Sequence, residues 1–256
     1  MTRQQLKDLA QLARTKGRRR QGRFLVEGVR SVEAAVAAGA PLEAVLVAPE
    51  AAEDGRVAAL LDRAGAEVHR VAARDLERVG DARTSQGVLA VARSVVGAGD
   101  GPLAAPALLL DGVQDPGNVG ALVRTAAWFG VRTVVADERS ADFETPKAVR
   151  ASMGGLWDVA LVRVPSLNPV LDRLAAAGAE LWGADLGGRA VGAWEPPHDA
   201  ALVMGSEAHG LSPEVAERLR QSGGGFVHIP GGADARGVES LNVVVAGGVL
   251  LARWLG

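Results

Sequence analysis

The 256-residue chain contains no cysteine, which excludes disulfide bridges, thiolate metal sites and a cysteine nucleophile. It has no tyrosine, five tryptophans and four phenylalanines, too few rings for a broad platform that stacks single-stranded bases. The four histidines, His69, His198, His209 and His228, are scattered without ligand spacing, and no metal is expected. Long apolar runs are also missing. The greasiest stretch, Leu241–Leu255, includes Asn242 and Arg253 and is too short to span a bilayer. The opening MTRQQLKDLA is polar and lacks the apolar core of a signal peptide. A soluble, cytoplasmic protein with no membrane partner is expected.

What is present is ordinary globular usage, 48% hydrophobic and 23% charged, in a length that allows one large domain or two small ones. The net charge of −2 hides an asymmetry. Residues 1–30 carry nine basic side chains against Asp8 and Glu27, so this arm is +7 and the remainder −9. A basic arm on an acidic body points to a polyanion partner, with Arg18, Arg19, Arg20 and Arg23 as the candidate phosphate contacts. A solvated helix end would carry the same charges.

Short apolar runs alternate with amphipathic stretches. The periodicity predicts strands at Phe24–Val26, Ala44–Val47, Glu67–Val71 and Gly87–Ala92, with helices at Val29–Ala38 and near Arg56–Ala64. The glycine- and proline-rich VVGAGDGPLAAP, Val95–Pro106, then interrupts the pattern as a linker would. The expected division is an N-terminal domain over 1–95, a linker over 96–106 and a second domain over 107–256. In the second part, Ala107–Leu110, Thr133–Val135, Val159–Val164, Glu180–Ala184, Ala201–Met204 and Phe226–Ile229 read as strands separated by helices. Such alternation predicts an α/β fold with a parallel sheet, whose ligands bind beyond the carboxyl ends of the strands.

Three loops there carry chemistry. The first, DGVQDPGNVGALVRTAAWFG (Asp111–Gly130), puts Val119, Leu122, Val123 and Ala126 on one helical face and Gly117, Gly120, Ala121, Arg124 and Trp128 on the other. Bare backbone before a fixed positive charge would let an anionic or hydroxylated ligand approach the helix start. It is no P-loop, because Asn118 stands where lysine is required, and no dinucleotide fingerprint follows the strand. The second, MGSEAHGLSPEVAERL (Met204–Leu219), holds Glu207 between Gly205 and Gly210, with Ser212-Pro213 opening the next helix. The third, His228–Leu255, ends a strand at Ile229-Pro230 and opens a last helix with Glu239-Ser240-Leu241-Asn242. Ser240 reads as an N-cap. The helix that follows is apolar on nearly every side, which demands cover on every side and suggests a homodimer, with Gly247-Gly248 allowing close helix approach.

The patterns D-x-x-x-D-P-x-N-x-G-x-x-x-R-T-A (Asp111–Ala126), M-G-S-E-x-x-G-L (Met204–Leu211) and I-P…E-S-L-N-V-x-V-A (Ile229–Ala246), in that order, resemble the three motifs of the SpoU RNA 2′-O-ribose methyltransferases of the SPOUT superfamily. K-A-V-R-A-S-M-G (Lys147–Gly154) resembles a further family segment, and residues 1–95 resemble the small ribosomal-protein-like substrate-binding domain that precedes the catalytic domain in many members. The resemblance implies a homodimer with a deep C-terminal trefoil knot and S-adenosylmethionine held by Met204, Gly205, Gly210, Ile229 and Leu241. It implies functional roles for Asn118, Arg124, Glu207, Ser240 and Asn242, and an RNA substrate, ribosomal rather than transfer RNA. Guanidinium groups stay protonated in proteins, so Arg124 is expected to position ribose and phosphate while another group takes the proton. One departure is a longer Pro230–Glu239 loop, with Gly231 where methionine is common. The rival expectations are a non-catalytic RNA-binding or ribosome assembly protein on the same fold, and an unrelated α/β enzyme with a nucleotide cofactor.

Overall fold

The computed structural model of the chain describes residues 1–81, 85–232 and 240–256. They form two compact units, Met1–Val95 with Asp142–Trp157, and Val96–Ala141 with Asp158–Gly256.

The first unit is a four-stranded mixed sheet of β1 (Arg23–Glu27), β2 (Leu42–Val47), β3 (Glu67–Arg70) and β4 (Val88–Arg93), in the order β1-β4-β2-β3. Its core gathers Leu9, Leu12, Leu25, Leu46, Leu76 and Leu89. The segment Asp142–Trp157, distant in sequence, packs into this unit for physical reasons that can be read off its side chains. Trp157 stacks on Phe24 with ring centroids 5.7 Å apart. Asp142 pairs with buried Arg18 at 2.6 Å, and Arg150 pairs with buried Glu27 at 2.8 Å. Buried Glu144 accepts from the Ser94 hydroxyl at 2.7 Å and the Val95 N–H at 3.1 Å. The K-A-V-R-A-S-M-G stretch therefore folds with the N-terminal unit, because its charges find their partners there.

The second unit is a six-stranded parallel sheet: β5 (Ala107–Asp111), β6 (Thr133–Asp137), β7 (Ala160–Val164), β8 (Leu181–Ala190), β9 (Ala201–Gly205) and β10 (Gly225–His228), in the order β10-β8-β9-β5-β6-β7. Every residue of β5, β6 and β9 is buried, as continuous apolar runs covered on both faces require. The chain winds outward from β5 through β6 to β7 and later returns to place β9 on the other side of β5. That reversal opens a crevice between the carboxyl ends of β5 and β9. Residues 96–106 pack onto this unit: the Gly97 N–H donates to Leu161 O at 2.8 Å, and the Thr133 hydroxyl donates to Ala104 O at 2.8 Å. Among the described residues, no helix is long and apolar enough to cross a membrane.

Candidate functional site

β5 and β9 lie side by side, with Asp111 opposite Gly205 at their carboxyl ends. The first loop thus leaves the sheet beside the second. After β5 the chain turns at Gly112, whose φ of +71° suits glycine, and enters the helix Pro116–Trp128. Asp115 caps it, accepting from Gly117 N at 2.7 Å and Asn118 N at 3.1 Å, with Pro116 in the first turn. The helix start is therefore satisfied by the protein's own carboxylate. This corrects the expectation of an open helix start for an anionic ligand. Gly120 is also buried, not on the open face.

The second loop doubles back on itself. Ser206 and Gly210 exchange backbone hydrogen bonds at 2.9 and 2.8 Å, and Gly210 has a φ of +67°. The fold-back is so tight that a Cβ on Gly205 would lie 2.3 Å from the Gly210 carbonyl carbon, so only glycine fits there. Glu207 stands exposed at the tip, and the Asn118 side-chain amide donates a hydrogen bond to its carboxylate. Two residues from separate motifs are joined at the crevice. Ser212 occupies the cap position of the helix Pro213–Gln221 but makes no side-chain cap. Its N–H and hydroxyl turn instead to Asp111, at 2.6 and 3.2 Å.

A cavity of about 700 Å³ opens beside this loop. Its walls include Met204, Gly205, Gly210, Ile229 and Leu241, the five positions expected to hold the cofactor, together with Glu207 and Ser240. The volume is that of small-molecule sites, about 300–1,000 Å³, and the mixture of backbone with apolar Met204, Ile229, Leu241 and Leu250 suits a nucleoside carrying an aliphatic sulfonium chain. The residues present fit S-adenosylmethionine. Among the described residues, no cluster of three or more His, Asp or Glu is arranged to hold a metal ion.

The third motif differs from its expected form. The last helix runs Val243–Leu255, and Asn242 rather than Ser240 caps it, accepting from Val244 N at 2.9 Å. Residue 239 of that motif lies outside the described residues. The close approach allowed by glycine occurs within the chain: a Cβ on Gly247 would lie 2.6 Å from Leu122 of the Pro116–Trp128 helix. Val243, Leu250, Leu251 and Trp254 are buried as well, whereas Val245 and Val249 remain exposed.

Arg124 is exposed and neither lines the cavity nor makes a hydrogen bond or ion pair with a described residue. Within one chain it does not join Glu207 or Asn242. The basic arm divides. Arg18 is buried, paired with Asp142 and bonded to Leu12 O, Ala13 O and the Thr15 hydroxyl, so it is corrected from phosphate contact to structural residue. Arg19 and Arg20 are exposed, while Arg23 is half-buried and pairs with Glu43 at 3.3 Å.

No role was expected for Asp111, Asp137 or Arg139. Both aspartates are buried at strand ends, and Arg139 pairs with each. Burial pushes the Asp111 carboxyl above the usual range, while hydrogen bonding to Asp137 raises the Arg139 guanidinium further. The available signal was an aspartate closing each of two mostly apolar, buried strands, since a buried carboxylate requires a partner.

Residues 105–252 match the SpoU rRNA Methylase family, and residues 3–90 match the MRM3-like substrate binding domain. The chain belongs to the SpoU rRNA methylase family. It is a methyltransferase enzyme. This SpoU methylase is 30% identical over 251 residues to the 23S rRNA (guanosine(2553)-2′-O)-methyltransferase RlmP of Bacillus subtilis, covering 97% of this chain and 94% of the relative. Its fold matches that of the SpoU methyltransferase AviRb from Streptomyces viridochromogenes in complex with AdoMet, with a TM-score of 0.85 and 28% identity over 98% and 97% of the two chains. An AdoMet-bound rRNA methyltransferase from Sinorhizobium meliloti aligns with a TM-score of 0.81 and 25% identity, over 99% of this SpoU methylase and 94% of that chain.

Proposed function

We propose that the chain methylates the ribose 2′-hydroxyl of a nucleotide in ribosomal RNA, working in the cytoplasm as a homodimer with Arg124 at the reacting nucleotide. S-adenosylmethionine is its cofactor and supplies an electrophilic methyl group when bound. The observation that carries the proposal is the cavity walled by Met204, Gly205 and Gly210 of one motif and Ile229 and Leu241 of another, with Glu207 tied to Asn118 at its edge. Chain elements hold a small molecule there with backbone and apolar side chains, and present a carboxylate and an amide to the partner substrate.

The work left to the protein is positioning and relief of a proton. Holding the hydroxyl in line with the methyl carbon supplies much of the acceleration in such transfers. Arg124 orients ribose and phosphate, and Glu207, held by Asn118, is fixed to accept a hydrogen bond. Ser240 lies on the cavity wall, while the oxygen of Asn242 caps the last helix and its amide nitrogen donates to no described residue. A homodimer accounts for Arg124, whose side chain makes no hydrogen bond or ion pair with a described residue of its own chain. Support comes from exposed apolar residues on the two helices packed through Gly247: Trp128 is 84% exposed, and Val245 is 52%. A deep C-terminal trefoil knot belongs to the same proposal, as the resemblance of the three motifs to the SpoU family implies.

The N-terminal unit is the RNA-gripping part, with Arg19 and Arg20 on phosphates. The match to a substrate-binding domain supports it. Phosphate contacts add affinity without sequence information, so the target nucleotide is chosen by other contacts. The test is to map ribose methylation on cellular RNA with and without the protein, then repeat methylation in vitro on a substrate carrying a single 2′-deoxyribose at the mapped position. Loss of one ribose methyl and inactivity of the deoxy substrate are expected. A methylated base, or an unchanged map, would contradict the proposal.

A further inference from the structure

Beneath the crevice, one arginine joins two buried carboxylates. Arg139 donates through Nε to Asp137 at 2.6 Å and through Nη2 to Asp111. Each carboxylate then holds a different loop. Asp137 accepts from Gly112 N at 3.0 Å and from the Ser140 hydroxyl at 2.7 Å, and that hydroxyl oxygen accepts from Val113 N at 3.0 Å. These bonds fix the turn that leads to Asn118. Asp111 is paired through the sheet with Gly205, where the Glu207 loop begins, and takes the N–H of Ser212, where it ends, at 2.6 Å. The Glu207 loop is therefore held at both ends by one residue.

We propose that Asp111, Arg139 and Asp137 form a positioning unit that sets the Asn118 turn and the Glu207 loop against each other, so that the cavity wall is preformed. The assignment rests on the methyl-transfer function proposed above and adds residues that do not touch the cavity. The physical case is the geometry of the cation. A planar guanidinium donates in two fixed directions, so it holds the two carboxylates at one spacing, which a point-charge ammonium does not do. Both carboxylates are buried, where a loosened hydrogen bond is expensive and the bonded arrangement is strongly preferred. Outside this unit, the Glu207 loop has its own Ser206–Gly210 pairing and the Asn118 bond to hold it.

The test uses the full chain, free of cofactor, with Arg139→Ala, Arg139→Lys and Asp111→Asn. Arg139 is 54% exposed, so its replacement leaves the core packed. Hydrogen exchange is followed at the amides of residues 112–113 and 206–212, with β6 and β7 as internal references. In Arg139→Ala and Asp111→Asn these loop amides should exchange about tenfold faster while the reference strands are unchanged, and Arg139→Lys should recover part of the protection. S-adenosylmethionine affinity, measured by calorimetry, should weaken about tenfold in parallel. Unchanged loop amides would overturn the proposal, and so would a uniform rise that includes β6 and β7, which marks only lost stability. Should Asp111→Asn fail to fold, Arg139→Ala decides by the same readings. If the wild-type chain binds no S-adenosylmethionine, the methyl-transfer function falls, while the exchange comparison still judges the positioning unit.

Discussion

The side-chain amide of Asn118 donates to the carboxylate of Glu207, across 89 residues of sequence and between two motifs. A side-chain hydrogen bond of this kind is worth about 0.5–1.5 kcal/mol. Asn118→Ala should therefore lower single-turnover methyl transfer several-fold, up to about tenfold. Calorimetry should show S-adenosylmethionine affinity nearly unchanged, because Asn118 does not line the cavity. Equal losses of binding and turnover would instead place Asn118 in cofactor binding.

Neighbouring arginines of the basic arm should behave oppositely. Arg18 is buried against Asp142, and removing one member of a buried pair costs about 3–5 kcal/mol. Arg18→Ala should cut stability, seen as a lower urea midpoint. Arg19→Ala, on an exposed side chain, should leave the midpoint alone and lessen the salt dependence of RNA binding. A stable Arg18→Ala protein with a flattened salt slope would reverse this division.

Glu144 predicts a pH dependence. Burial raises its carboxyl above the ordinary range, against the smaller opposing effect of the Ser94 and Val95 hydrogen bonds. The folded state thus holds the proton more tightly than the unfolded chain. The stability it contributes is complete below the ordinary carboxylate range and is lost as pH rises through the elevated folded value. Glu144→Gln mimics the protonated form and should shrink the fall in urea midpoint between about pH 5 and about pH 8. An unchanged pH profile would contradict this.

Much of the fold was legible because buried parallel strands are short, continuous and apolar: Ala107–Leu110 and Ala201–Met204 announce themselves. The cavity positions were legible through motif resemblance, since glycines such as Gly205 are fixed by backbone clearance that tolerates nothing else. Pairings between distant charges were not. Asp142 lies 124 residues from its partner Arg18 and Asp111 lies 28 residues from its partner Arg139, and local periodicity carries no trace of either pairing. The same limit hid the packing of Asp142–Trp157 with the first 95 residues, which rests on Phe24, Arg18 and Glu27. At the last helix, Asn242 and Ser240 are both plausible caps by type, and only the bond to Val244 separates them.

Arg124 tests the central claim most directly. Calorimetry with S-adenosylmethionine and single-turnover methyl transfer to RNA are measured on the wild-type chain and on Arg124→Ala. The wild type should bind and transfer, and the variant should bind within about twofold while losing transfer by at least about a hundredfold, the pattern of a group that acts on the transition state rather than on cofactor affinity. Transfer by Arg124→Ala at the wild-type rate would contradict the account.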